Sequence, residues 1–175
     1  DLGADAGTAP SALGTGDHLD AVVLALSGLR RIGLDAYATD VLDPTVMMPA
    51  PSQGALAIET RDEPDPLLRT LNHRPAALAA SAERAVLSSL GAGCAAPVGA
   101  FARVDEASSA LVLDARVMSV DGCERVEASG ALTLTDAVGL GEAARLGADV
   151  ARQLLQRGAA EVTDLGATKA PRQPL

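Results

Sequence analysis

The sequence predicts an α+β fold: a small C-terminal domain with a three-stranded antiparallel sheet packed by helices, preceded by pieces of another unit. Three observations predict it. Apolar residues recur at helical spacing from Pro75 to Leu90, three strand-like runs follow, and a second helical stripe closes the chain.

Residues 1–18 are Gly, Ala, Thr, Asp and Ser with scattered proline, and read as a flexible lead-in. Asp20 to Leu26 is a short apolar run suited to a buried strand, Ser27 to Ile32 a helical turn, and Gly33 its stop. Asp43-Pro44 and Pro49-Ala50-Pro51 interrupt the next stretch, because proline disfavours helix in the residue before it. Gly54 to Glu59 reads as a second buried strand, and the Asp, Glu and Pro of 61–66 as a surface loop. In the helix that follows, Leu78, Ala82, Ala85 or Val86, and Leu90 share a face, with Gly91 as the stop. Glu83-Arg84 reads as a pair on its solvent side. Two glycines and a proline make Gly91 to Pro97 a turn. Strands are expected near 98–104, 110–118 and 123–133, the last two joined by a hairpin at Asp121-Gly122. Leu111, Leu113, Ala115 and Val117 alternate with Val112, Asp114, Arg116 and Met118, the period of a half-buried strand. Asp136 is expected to cap a helix carrying Leu140, Ala144, Gly147, Val150, Ala151 and Leu154 on one side. Two isolated buried strands before residue 70 need neighbours that this sequence does not obviously supply.

The chain has 175 residues, 48% of them hydrophobic, enough for a core. That core must be aliphatic, since Tyr37 and Phe101 are the only aromatic residues and base stacking on aromatic platforms is nearly excluded. A formal net charge of −9 argues against nucleic acid and anionic membranes as partners. Lys169 is the single lysine, so the cations are arginines, the better bidentate binders of carboxylates. Cys94 and Cys123 make no disulfide framework. With His18 and His73 they match no zinc spacing, so no metal site is expected. Neither a signal peptide nor a membrane-spanning run is visible, which makes the cytoplasm the expected location.

Several segments, in order, resemble the porphobilinogen deaminase (hydroxymethylbilane synthase) family. They are Leu-Asp-Ala-Val-Val-Leu-Ala at 19–25, Gly-Leu-Arg-Arg-Ile-Gly at 28–33, and Pro-Ala-Pro-Ser-Gln-Gly-Ala-Leu-Ala-Ile-Glu at 49–59. They continue with Leu-Asn-His-Arg at 71–74, Ala-Glu-Arg-Ala at 82–85 and Gly-Ala-Gly-Cys-Ala-Ala-Pro-Val-Gly at 91–99. The resemblance implies that 1–43 is a remnant of a second α/β domain like those of periplasmic binding proteins. It makes 44–71 a hinge with the return strand of the first domain, and 72–175 the C-terminal domain that bears the cofactor cysteine. The unpartnered strands would then belong to sheets completed by an N-terminal half.

The same resemblance implies a transferase of tetrapyrrole and heme biosynthesis that joins four porphobilinogen molecules head to tail and releases ammonia. Its primer is a dipyrromethane held by a thioether, and Cys94 matches the cysteine that carries it. Arg31 matches an arginine that holds a pyrrole carboxylate, whereas Arg30 is expected to face solvent. Gln53 and Gly54 match part of a Gly-Gln-Gly turn whose first glycine is Ser52 here, and a hinge role is expected. Cys123, beside a hairpin, reads as structural. No catalytic residue is assigned: the family's catalytic aspartate belongs to the N-terminal half, and Asp1 to Leu29 contains no Arg or Lys where the family has a cofactor-binding arginine segment. The expectation is a monomer that binds porphobilinogen but is inactive as this chain alone. A non-catalytic relic or interaction domain, and one half of a split enzyme, stay open as alternatives.

Overall fold

The computed structural model describes residues 19–61, 66–93 and 95–166. The lead-in expected over 1–18, most of the loop expected at 61–66, and Cys94 lie outside the described residues. The chain divides into two compact units, Asp1–Val41 and Leu42–Leu175.

In the first unit a single helical turn, α1 (Leu26–Arg31), is followed by a 3-10 turn at Asp35–Tyr37. Gly33, at φ 70°, ends the helical segment as expected. The buried strand expected at Asp20 to Leu26 does not form. Residues 20–25 carry no regular structure, and Val22, Val23 and Leu24 are more than half exposed. A strand buries its side chains and pairs its backbone only against a neighbour, and none is present among the described residues.

The second unit holds the sheet. A 3-10 segment, Pro66–Leu71, leads into α2 (Arg74–Leu90), whose first turn is capped by the His73 ring accepting the Ala76 N–H. Then come β1 (Val98–Asp105), β2 (Ala110–Met118) and β3 (Arg125–Thr133), in the order β1-β2-β3 and antiparallel throughout. Helices α3 (Leu140–Gln156) and α4 (Ala159–Val162) complete it. The register aligns Ala100, Ala115 and Ala128 across the three strands, so their inner faces lie on one side. That side packs against α2 and α3 around Leu78, Val86, Leu111, Leu113, Val117, Val150 and Leu154, all fully buried. This is the α+β architecture the periodicity predicts.

Two expectations are corrected in this unit. The strand expected at Gly54 to Glu59 is absent, and Leu56 and Ile58 are 82% and 57% exposed. The reason is again that no partner strand is present among the described residues. Helix α3 starts at Leu140, and not under Asp136: Gly139 is its N-cap, and its N–H is taken by the Glu142 carboxylate at 3.0 Å. The buried stripe is Ala143, Leu146, Gly147, Val150, Ala151 and Leu154, while Leu140 is 55% exposed. Gly147 sets the distance between the helices, since a Cβ there would run into the Ala82 carbonyl and come within 2.7 Å of the Ala85 methyl.

Candidate functional site

The turn that carries the candidate cysteine is anchored on both sides. Helix α2 ends in a Schellman arrangement: Gly91, at φ 62°, and Ala92 return their N–H groups to Ser88 and Leu87. Beyond it the Gly93 N–H donates to the Leu165 carbonyl at 2.8 Å, and the Ala96 N–H returns to Gly93 at 3.1 Å. Pro97 accepts the Met118 N–H at 3.0 Å, which joins the end of the turn to β2. The residues flanking Cys94 are therefore fixed to a helix, to the segment after α4, and to the sheet.

A second segment lies against this one. Residues 43–54 run from a Thr45 turn, closed on the Asp43 carboxylate, across the outer face of the sheet to β1. Hydrogen bonding to the Thr45 hydroxyl and N–H holds the Asp43 carboxyl below its usual range. Arg116 of β2, paired with Glu127 at 2.6 Å, donates to the Thr45 and Val46 carbonyls. The Met48 side chain covers Gly99, where any Cβ would meet its Cβ and Cγ at 3.0 Å. The Ala100 N–H donates to the Pro49 carbonyl at 3.1 Å.

The segment ends in the turn containing Gln53. Ser52 stands at φ 63° and Gly54 at φ 88°, so Ser52 adopts the left-handed conformation that a glycine would take without strain. Its N–H donates to Glu83 Oε2 at 2.6 Å and its hydroxyl to the Ala80 carbonyl at 3.3 Å. Glu83 Oε1 accepts the Ala102 N–H of β1, also at 2.6 Å. The expectation of a solvent-side Glu83-Arg84 pair is wrong for Glu83, which is only 7% exposed. Burial pushes its carboxyl above the usual range, against the two N–H groups that favour the ionised form. Helical spacing put Leu78, Ala82, Val86 and Leu90 inside but not Glu83, because a carboxylate enters a core only where tertiary donors wait for it.

Two clefts border the segment. One, about 320 Å³, lies over Phe101, Asp114, Arg116 and Ser129, with Thr45 and Met48 on its rim. The other, about 310 Å³, gathers Met47, Met48 and Met118 beside Ala96 and Pro97, the residues just after the Cys94 position. Those are all three methionines of the chain, so this cleft is soft and apolar.

The remaining candidates fall elsewhere. Arg31 is in the last turn of α1 and exposed, in the first unit, whereas the residues flanking Cys94 belong to the second. Cys123 is an exposed thiol in the hairpin after β2, its N–H bonded to Asp121 Oδ1 at 3.0 Å. Among the described residues no three His, Cys, Asp or Glu side chains are grouped as metal ligands, and no helix is long and apolar enough to cross a membrane.

Comparison with known proteins gives two adjoining matches of one origin. Residues 77–156 match the model of the porphobilinogen deaminase C-terminal domain, and residues 10–69 that of the porphobilinogen deaminase dipyromethane cofactor binding domain. Among curated proteins, the chain is 45% identical over 168 residues to porphobilinogen deaminase of Cutibacterium acnes, covering 89% of this chain and 50% of that protein. It is 41% identical over 167 residues to porphobilinogen deaminase of Thermus thermophilus, covering 93% of this chain and 52% of that protein. The chain thus spans about half the length of the curated relatives it matches.

Proposed function

The chain belongs to the porphobilinogen deaminase family, and from that premise we propose that it supplies the cofactor-bearing part of a hydroxymethylbilane synthase. The observation that carries this reading is the pair of family matches, in chain order, over residues 10–69 and 77–156. On it, 1–43 derives from the second, periplasmic-binding-protein-like domain, 44–71 from the hinge and return strand, and 72–175 is the cofactor-cysteine domain. Porphobilinogen is the substrate, joined head to tail with loss of ammonia, and the cytoplasm is the place of action.

The residues around the Cys94 position fit a thioether-held dipyrromethane. Gly91 and Gly93 flank it, the ends of the turn are bonded to fixed elements, and the methionine cleft adjoins it. Cys94 would hold the group and Arg31 one of its carboxylates, since a guanidinium matches a carboxylate in bidentate fashion. The group supplies the pyrrole end on which the product grows. What this chain contributes is anchorage: the residues on either side of Cys94 are hydrogen-bonded to fixed elements.

Alone, the chain does not turn over porphobilinogen. By the resemblance the catalytic aspartate belongs to the family's N-terminal half, and the cofactor-binding arginine segment corresponds to a stretch, Asp1 to Leu29, that has no Arg or Lys here. The test is intact mass together with turnover on porphobilinogen. The bare polypeptide mass and no hydroxymethylbilane are expected. A dipyrromethane increment that vanishes in Cys94→Ala would instead establish one half of a split enzyme, and turnover by the pure chain would overturn the assignment of the essential groups.

A further inference from the structure

We propose that Glu83 is a carboxylate clasp that fastens residues 43–54 to the Cys94-bearing unit, so that the chain pivots beyond Gly54 and not before it. The geometry is that of one side chain serving two separate main-chain donors. Oε2 takes the Ser52 N–H and Oε1 the Ala102 N–H, each at 2.6 Å, from the middle of α2. The Ala102 N–H lies on the free edge of β1, and so do those of Val98 and Ala100, which donate to the Ala96 and Pro49 carbonyls. The edge of the sheet is thereby closed by the strap and the clasp together, which is how exposed strand edges are kept from pairing elsewhere.

Other contacts align with the clasp. Arg116 holds Thr45 and Val46, Met48 covers Gly99, and the Ser52 hydroxyl reaches Ala80. From residue 56 to 61 the side chains are exposed and no regular structure forms, so the fastening ends at the turn. A backbone freed of such bonds is where local opening concentrates. Gln53 therefore travels with the cysteine turn as one body. The inference does not depend on the proposed activity, because it concerns only which residues move together.

The chemistry of the clasp is specific. Glutamine keeps one acceptor oxygen but presents an NH₂ to the other N–H, which then has no acceptor. Alanine removes both acceptors, and aspartate is one methylene too short to reach both donors.

Amide hydrogen exchange on the whole chain tests it. In Glu83→Gln one of the two amides, Ser52 or Ala102, should exchange on the order of tenfold faster, and in Glu83→Ala both should, along with the rest of 45–54. The amides of β2, β3 and α3 should keep their protection. Unchanged exchange at Ser52 in both variants would overturn the clasp. Uniform loss across the sheet and helices in Glu83→Gln would reduce Glu83 to an ordinary core residue, which also overturns it. Should Glu83→Ala fail to fold, thermolysin decides the matter on the wild-type chain. Cutting at Leu56 or Ile58 before Val46 or Met47 is expected, and the reverse order places the pivot before the strap.

Discussion

Glu83 carries opposing demands. Its carboxylate is removed from water, which raises its pKa, while two short N–H donors favour the charge and only partly compensate. The folded chain consequently binds this proton more tightly than the unfolded chain. The contribution of Glu83 to stability is full below the ordinary carboxylate range and is lost as pH rises through its folded value. Other carboxylates run the opposite way. Asp105 is held low first by the Ser108 hydroxyl, Asp121 by the Ser119 hydroxyl and Glu142 by the Gly139 N–H, so what they contribute is lost as pH falls. Among the described residues no cation is paired with Glu83: residues 44–54 have no ionisable side chain, and Arg103 pairs with Asp114 on the outer face of the sheet. On α3, Arg145 and Arg152 pair with Glu142 and Asp149. The Arg84 side chain of α2 is exposed. Urea unfolding at several pH values should therefore show the wild-type margin over Glu83→Gln shrinking as pH rises above the ordinary carboxylate range. A margin that widens with pH would contradict the raised value.

Helix α3 buries Gly147, Val150, Ala151 and Leu154 as expected and departs from the expected face only in its first turns, where Ala143 and Leu146 stand in for Leu140 and Ala144. Counting from Leu140 places a leucine at the start of the buried face, yet the helix meets the sheet and α2 with Ala143, Leu146 and Gly147. The pattern is ambiguous because alanines and leucines occupy both candidate stripes. Gly147, common to the expected and the observed face, lets α2 approach closely, since a Cβ there would run into the Ala82 carbonyl. Two truncations test the start of the buried face. Leu154→Ala, fully buried, should cost about 2–5 kcal/mol, and Leu140→Ala should stay within about 0.5 kcal/mol. Denaturant midpoints measure both, and comparable losses would return Leu140 to the buried face. The stripe of helix α2 left one choice open, Ala85 or Val86, and the structure buries Val86 beside Leu78, Ala82 and Leu90, with Gly91 as a left-handed stop.

For the whole molecule the contrast is between a packed unit and apolar segments without partners. Residues 72–166 contain the core, whereas Val22, Val23, Leu24, Leu56 and Ile58 expose aliphatic surface that water disfavours. Limited trypsin digestion should cut early at Arg30, Arg31 and Arg61, all exposed, and leave a fragment holding α2 through α4. Early cutting at Arg116, in the centre of the sheet, would contradict the fold. The sequence by itself determined the elements of the C-terminal unit, because periods of 3.6 and 2 are written in its own residues and its helix and hairpin breaks fall at Gly91 and Gly122. It also carried the family resemblance, through the order of segments from Leu19 to Gly99. Only the tertiary structure decided that the two apolar runs before residue 60 stay unpaired, since a strand is a relation between segments and not a property of one. Likewise, only it turned Glu83 inward. The donors that make a buried carboxylate tolerable come from Ser52 and Ala102, 31 and 19 residues away, and no local pattern announces them.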